Sequence, residues 1–211
     1  MKRKIRFISF EGADGSGKTT ILNLLKKYLE ESTDFLKNKF IFTREPGGTD
    51  IGEKIRLMLS NDDMDIRTEA LLFAASRSEH VNRIILPAIQ NDNIVISDRF
   101  LHSSLAFQGI YKELGIKDVL FINNFGINKC YPDIVFFIDV PVNVSLERLS
   151  KRKDKIDRLD LTTIDEITKI NNSYKKSLKA IKESKIIIID GNKEPNKILE
   201  DIINHLTKEI L

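Results

Sequence analysis

Near its amino end the chain reads Gly12-Ala13-Asp14-Gly15-Ser16-Gly17-Lys18-Thr19. This is G-x-x-x-x-G-K-[ST], filled at every fixed position. Glycines at this spacing let a backbone wrap so that its N–H groups face inward, toward phosphate oxygens. A helix opening near Lys18 adds the positive end of its dipole. Lys18 is read as an exposed, mobile cation for β- and γ-phosphates, and the Thr19 hydroxyl as a ligand for Mg²⁺. The pattern therefore points to a nucleoside triphosphate, ATP with Mg²⁺. A guanine-specific protein would need Asn-Lys-x-Asp. The nearest strings, Asn128–Tyr131 and Asn192–Pro195, both lack the aspartate.

Other charged residues extend the picture. Arg44 and Arg99 each follow an apolar, strand-like run. Two arginines there, besides Lys18, suit a phosphate monoester. Their alternative is a surface ion pair with the neighbouring Glu45 or Asp98, and for Arg56, alone on a helix, that alternative is a serious rival. Asp98 ends an apolar strand, where a carboxylate holds Mg²⁺ through water or orients the transfer. Asp14 sits inside the cradle, where its charge would repel phosphates, so it should point away, toward an acceptor. Phe73 and Arg77 are four residues apart and share one helix face. A ring with a guanidinium one turn on suits a flat base. By residue type alone, though, a phenylalanine among Leu71, Leu72 and Ala74 reads as core.

These residues need elements to hold them. Ile5–Phe10, Phe40–Thr43, Asn93–Asp98, Asp133–Val140 and Lys185–Asp190 are rich in Ile, Val and Phe and read as buried strands. Between them lie helix-like stretches, clearest at Lys18–Glu30, Thr68–Gln90, Val142–Lys151, Thr163–Glu183 and Asn196–Ile210. Strand–helix alternation implies an α/β fold with a five-stranded parallel sheet and helices on both faces. The strand ends at Phe10, Asp98 and Asp139 then share the carboxyl edge of the sheet, where open α/β sheets bind ligands.

Four further segments, at Thr43–Thr49, Leu71–His80, Ser97–Gly109 and Tyr131–Pro141, fall in register with the cradle. Together with the basic stretch that follows, they resemble bacterial thymidylate kinase over essentially the whole chain. The resemblance implies a P-loop NTPase fold and transfer of the γ-phosphoryl group of ATP to dTMP, giving dTDP on the way to dTTP. It implies that Arg44 and Arg99, helped by Arg56, hold the dTMP phosphate, and that Asp14 faces the sugar 3′-hydroxyl with Glu45 nearby. Phe73 would stack on thymine and Arg77 reach its O4, a donor-only contact that rejects cytosine. Ser103, Ser104 and Gln108 would supply polar contacts to base or sugar. Phe107 stands where many bacterial members carry tyrosine. Its ring still crowds the 2′ side of the sugar, without the hydroxyl.

The basic stretch Arg148–Arg158 reads as a solvated helix end by charge alone. By its place it resembles the closing lid of nucleotide kinases, about residues 148–160, which excludes water from the transfer. Some family members carry an arginine directly after the cradle aspartate. Here that position is Gly15. The transition-state charge is then expected from the lid: Arg152 first, Arg158 second, with Lys153 and Lys155 as alternatives. In an Arg152→Ala background, an arginine placed at Gly15 would restore a little of that function only if the loop backbone tolerates a side chain there.

Composition sets the boundaries. The 211 residues suit one domain, 1–211. A net charge of +3, not gathered into a tail, does not argue for nucleic-acid or membrane binding. His80, His102 and His205 show no metal-ligand spacing and read as ordinary surface or core residues. Cys130 is the sole cysteine. With no signal-peptide pattern and no membrane-length run, this places the chain in the cytoplasm. The resemblance implies a homodimer formed through helices beside the sheet. Two rival readings are a kinase of another small molecule and an ATP-dependent switch without a nucleotide acceptor.

Overall fold

The apolar runs do pair into a sheet. The computed structural model describes residues 5–33, 39–151 and 163–210. Its strands are β1 (Phe7–Glu11), β2 (Phe40–Arg44), β3 (Ile94–Asp98), β4 (Ile134–Asp139) and β5 (Lys185–Asp190). All are parallel, in the order β2-β3-β1-β4-β5. β1 is central, and the chain crosses from one side of it to the other between β3 and β4. The loop leaving β1 therefore opens at the switch point of the sheet, where ligands of such folds bind. Register keeps the carboxyl ends level: Phe10 lies opposite both Asp98 and Phe136, and Arg44 opposite Asp98.

Alternation along the strands loads both faces. Ile8 and Phe10 of β1 pack with Ile96, Phe136 and Ile138 against α1 (Lys18–Glu31) and α9 (Pro195–Ile210). Helix α1 buries Ile21, Leu22, Leu25 and Leu29, a helical stripe, and α9 buries Ile198, Ile202 and Leu206. Phe7 and Val95 point the other way. They meet Val81 and Ile85, which follow α3 (Ile66–His80), along with α5 (Leu101–Ser104) and α6 (Ile116–Ile127). The remaining α-helices are α2 (Asp50–Asn61), α4 (Leu86–Gln90), α7 (Val142–Ser150) and α8 (Ile164–Ser177), and a π-helical segment, Leu105–Tyr111, continues α5.

The helices depart from the sequence expectation in identifiable ways. The stretch expected over Thr68–Gln90 is interrupted by a π-helical turn at Val81–Ile85. Pro87, just beyond, has no N–H to donate to the preceding turn, so the ladder shifts register there. Helix α8 opens on a capping box formed by Thr163 and Glu166 and stops at Ser177, short of Glu183. Leu178 and Ile181 turn inward into the core, pulling the chain off the helical path. Helix α6 is not marked among the helical stretches above. Phe121 and Phe125 on its surface face outward, which blurs the period.

Candidate active site

The loop between β1 and α1 forms one wall of a cleft of about 1050 Å³. That is more room than a single drug-sized ligand needs, for which pockets run up to about 1,000 Å³. Gly15 and Gly17 hold φ of 77° and 92°, left-handed values that favour glycine. Gly17 serves as the N-cap of α1. The cleft is lined from Asp14 through Thr19 by this loop and the first turn of α1. Lys18 differs from the expected exposed cation. It is only 6% exposed, and its Nζ donates to the carbonyl oxygens of Gly12 (2.8 Å) and Ala13 (3.0 Å) and to Ser16 Oγ (3.3 Å). Burial, and next the Arg99 charge, push its pKa down to about 8. An amine curled into its own loop is preloaded with acceptors that phosphate oxygens can replace. Thr19 lies exposed in the same wall.

At the end of β3, Asp98 lines the cleft and leaves a buried Oδ1 with no hydrogen-bond partner. Arg99 follows with φ 70°, a left-handed conformation rare for a residue with a side chain. The turn aims its guanidinium back across the cleft. Nη2 donates to the Asp14 carboxylate, and Nη1 to Gly12 O (3.2 Å) and Tyr174 Oη (2.5 Å). The Phe107 ring lies 5.8 Å from its Cζ.

The far end of the cleft is lined by Arg44, Glu45, Arg56, Phe73, Arg77, Ser103, Ser104, Phe107 and Gln108. Arg44 pairs with neither Glu45 nor Asp98. Its Nη2 reaches both oxygens of Glu53 at 2.9 Å, and Nη1 the Pro46 carbonyl at 2.9 Å. Arg56 donates to the same carbonyl at 3.4 Å. Phe73 is half-buried at the cleft wall, not sealed in the core. Arg77 is 2% exposed. Its Nε donates to Glu45 Oε2 (2.7 Å), Nη1 to Ser104 Oγ (3.0 Å) and Asn123 Oδ1, and Nη2 to the Phe100 carbonyl (3.2 Å). Glu45 is itself buried, and its other oxygen meets His80 Nδ1 at 2.9 Å. Gln108 Nε2 donates to Glu69 Oε1 at 2.9 Å, and Lys112 Nζ reaches the same carboxylate. The cleft thus joins a triphosphate cradle to a second compartment with an aromatic wall and fixed cations.

Comparison with known proteins places the whole chain in a family. Residues 10–202 match the family model described as thymidylate kinase. The chain is 47% identical to a thymidylate kinase of Fervidobacterium nodosum, over 93% of this chain and 96% of that one. It is 46% identical to one of Malacoplasma penetrans, over 97% and 95%, and 42% identical to one of Clostridium novyi, over 93% and 95%. The chain belongs to the thymidylate kinase family.

Several residues of this thymidylate kinase family site escape motif reading. Glu11 ends β1 and is fully buried, accepting from Phe100 N (2.8 Å) and Ser103 Oγ (2.6 Å). Burial pushes its pKa up to about 7, against the lowering pull of Ser103, Arg99, the Phe100 amide and Arg77. Tyr174 on α8 meets Arg99 and Ser103, and its ring packs on Phe137 and Phe107. Arg148, which opens the basic stretch read as the lid, instead lies in the last turn of α7 and lines the cleft, donating to Ser16 O (3.1 Å) and Gly191 O (3.0 Å). Glu11 borders the glycine pattern, which is a signal of sorts. Tyr174 had none. Arg152, Lys153, Lys155 and Arg158, the lid residues of the sequence reading, lie outside the described residues. His102 is buried, and burial, then Arg77, pushes its pKa down to about 4, so it stays neutral. Burial pushes the Cys130 thiol up to about 12, which leaves it a poor nucleophile.

Proposed function

We propose that this chain, a nucleoside monophosphate kinase acting as one domain with its lid at about 148–160, transfers the γ-phosphoryl group of ATP to dTMP to give dTDP. The observation that carries the reading is one continuous cleft, with the cradle 14–19 at one end, the Phe73–Arg77 wall at the other, and the Asp14–Arg99 pair between them. Family membership supports the same reaction.

In this reading the loop amides and Lys18 hold the ATP phosphates, Lys18 exchanging its loop carbonyls for phosphate oxygens. Arg99, Arg44 and Arg56 hold the phosphate of dTMP. The two phosphates meet beside Arg99, while Asp14, held by that arginine, faces the sugar 3′-hydroxyl of dTMP. Phe73 stacks on thymine, Arg77 donates toward its O4, and Phe107 crowds the 2′ side of the sugar. Ser104 and Gln108 complete the polar contacts. Catalysis is positioning and charge neutralisation, with no covalent intermediate on the protein.

Asp98 and Thr19 fit a role in holding Mg²⁺. Asp98 offers an orphaned carboxylate oxygen beside the cradle and Thr19 an exposed hydroxyl. Among the described residues no group of three or more His, Cys, Asp or Glu gathers to cage a metal. Mg²⁺ commonly keeps its waters and takes one or two protein ligands plus substrate phosphates. When bound, it would neutralise charge on the β- and γ-oxygens.

The chain is proposed to act as a homodimer in the cytoplasm. On packed helices α3 and α6, Leu71, Phe121 and Phe125 are exposed, an apolar face suited to a second copy. No helix among the described residues is long and apolar enough to cross a membrane. A coupled assay with ATP and Mg²⁺ tests the reaction against dTMP, thymidine, dUMP, dCMP and AMP. Strong preference for dTMP is expected. Equal turnover of thymidine, or ATP hydrolysis indifferent to every acceptor, would overturn it.

A further inference from the structure

Arg99 projects from a left-handed backbone into the middle of the cleft, and its aim depends on what surrounds it. Beneath it runs a chain of hydroxyls. Ser103 has one hydrogen, and it goes to Glu11 Oε2 at 2.6 Å. Ser103 Oγ also lies 2.8 Å from Tyr174 Oη. With the serine hydrogen already committed, the tyrosine must donate its own hydrogen to Ser103. The lone pairs of Tyr174 Oη are left for Arg99 Nη1 at 2.5 Å. Direction thus propagates from the carboxylate: Glu11 accepts from Ser103, Ser103 from Tyr174, and Tyr174 from Arg99, whose Nη1 also reaches Ser103 Oγ directly at the longer distance of 3.3 Å. The other Glu11 oxygen accepts the Phe100 amide, directly after the strained residue, and so pins the turn itself.

We propose that Glu11 and Tyr174 are positioning residues, which through Ser103 hold the Arg99 guanidinium toward the acceptor phosphate. The inference rests on the reading above that Arg99 binds that phosphate. It draws on three elements far apart in the chain: the end of β1, the turn after β3, and α8. Reversing the chain would turn a hydroxyl hydrogen toward Arg99, which has only donors to offer. Tyr174 suits the role because burial raises the pKa of its phenol, keeping it a neutral donor throughout the working range.

Tyr174→Phe removes the hydroxyl and keeps the ring against Phe137 and Phe107. The KM for dTMP should rise about tenfold, the scale of one hydrogen bond from a charged donor. The KM for ATP and the thermal midpoint should stay close to the parent values. In an Arg99→Ala background Tyr174→Phe should add nothing, since it acts only through that arginine. Glu11→Gln, which keeps the shape and loses the charge, should shift the same constant in the same direction. The inference alone is overturned if Arg99→Ala raises the KM for dTMP while Tyr174→Phe does not. It is also overturned if the two substitutions add independently, or if both Michaelis constants rise together. If Arg99→Ala leaves the KM for dTMP unchanged, the assignment of Arg99 falls and takes this inference with it.

Discussion

The Asp14 carboxylate accepts a hydrogen bond from Nη2 of Arg99, although 85 positions separate the two residues. This pair joins the cradle wall to the β3 wall. It turns the loop's negative charge away from the triphosphate space and toward the second compartment. Both side chains are 19% exposed, so the pair is partly sheltered from water.

Asp14→Asn should therefore act on transfer more than on ATP binding. Arg99 keeps Tyr174 but loses its charged partner. The loss in kcat/KM for dTMP should correspond to about 1.5–3 kcal/mol. The KM for ATP should hold steady or improve, because a repulsive charge leaves the cradle. A rise confined to the KM for ATP would show that Asp14 serves the donor side.

Arg77→Ala should cost both binding and stability. Loss of its contact to the base predicts about 1.5–3 kcal/mol on the dTMP side. The same change strands the Glu45 carboxylate, 3% exposed, with only His80 beside it. Breaking a buried pair from one side costs about 3–5 kcal/mol of folding free energy. Denaturant titration should show that cost, and Arg77→Ala with Glu45→Gln should recover part of it. ATP binding in the folded fraction should be unaffected.

Glu11 gives a pH signature with opposite signs for folding and function. Its folded pKa, about 7, lies above the ordinary glutamate value of 4.5. The folded state therefore holds a proton that the unfolded chain gives up earlier. The stabilising contribution of the protonated form is complete below 4.5 and is lost as pH rises through 7. Arg99, Arg77, Lys18 and Tyr174 face this carboxylate from the surrounding elements. The relay to Arg99, in contrast, needs the ionised form, so affinity for dTMP should strengthen across the same rise. Glu11→Gln should flatten both trends between pH 4.5 and 7. The ionisation of dTMP's own phosphate persists in both proteins and serves as the internal control.

Gly15→Arg should not restore function to a lid variant. A Cβ at Gly15 would stand 2.5 Å from the Ser145 carbonyl oxygen, on a backbone at φ 77°. The condition for rescue is not met: the loop has no space for a side chain there. Gly15→Arg should bind ATP poorly by calorimetry. Arg152→Ala alone should lower kcat by on the order of 10³-fold with little change in either Michaelis constant. A normal Arg152→Ala beside an impaired Arg158→Ala would move the role to the second residue.

Phe125→Asp should dissociate the proposed dimer. Phe125 is 94% exposed and Phe121, one turn away, is 78% exposed. A charge at the centre of an apolar contact opposes its burial in a partner. Sedimentation at micromolar concentration should show a dimer for the parent chain and a monomer for the variant. A parent chain that sediments as a monomer would remove the dimer from the reading.

The local chemistry of this protein was legible in its residues. The cradle is contiguous, so its glycines and Lys18 announce it without help from the rest of the chain. Ile- and Val-rich runs marked the strands: β1, β3 and β4 are buried along almost their whole length, whereas the edge strands β2 and β5, read as buried too, are only partly covered because each has a neighbour on one side alone. Alternation with helices then set the parallel class and the ligand edge. Phe73 carried its ambiguity to the end. Its neighbours Leu71 and Ala74 look like core, and only the placement of α3 beside the cleft decided that its ring lines a wall.

Tertiary structure decided everything that depends on partners distant in sequence. Arg77 and Glu45 meet across 32 positions, and Arg99 and Tyr174 across 75. No periodicity encodes such pairs; they exist because the sheet order brings β3 beside β1 and lays α8 over their ends. Burial of Lys18 was equally invisible, since it arises from how the loop curls and not from the residue's type. The end of α8 at Ser177 has the same origin. Helical propensity continues past it, but burying Leu178 and Ile181 is worth more than continuing the ladder. Local pattern chose the elements and the cradle. The charge states and aim of the side chains around it came from packing, because desolvation and opposite charges act through space and not along the chain.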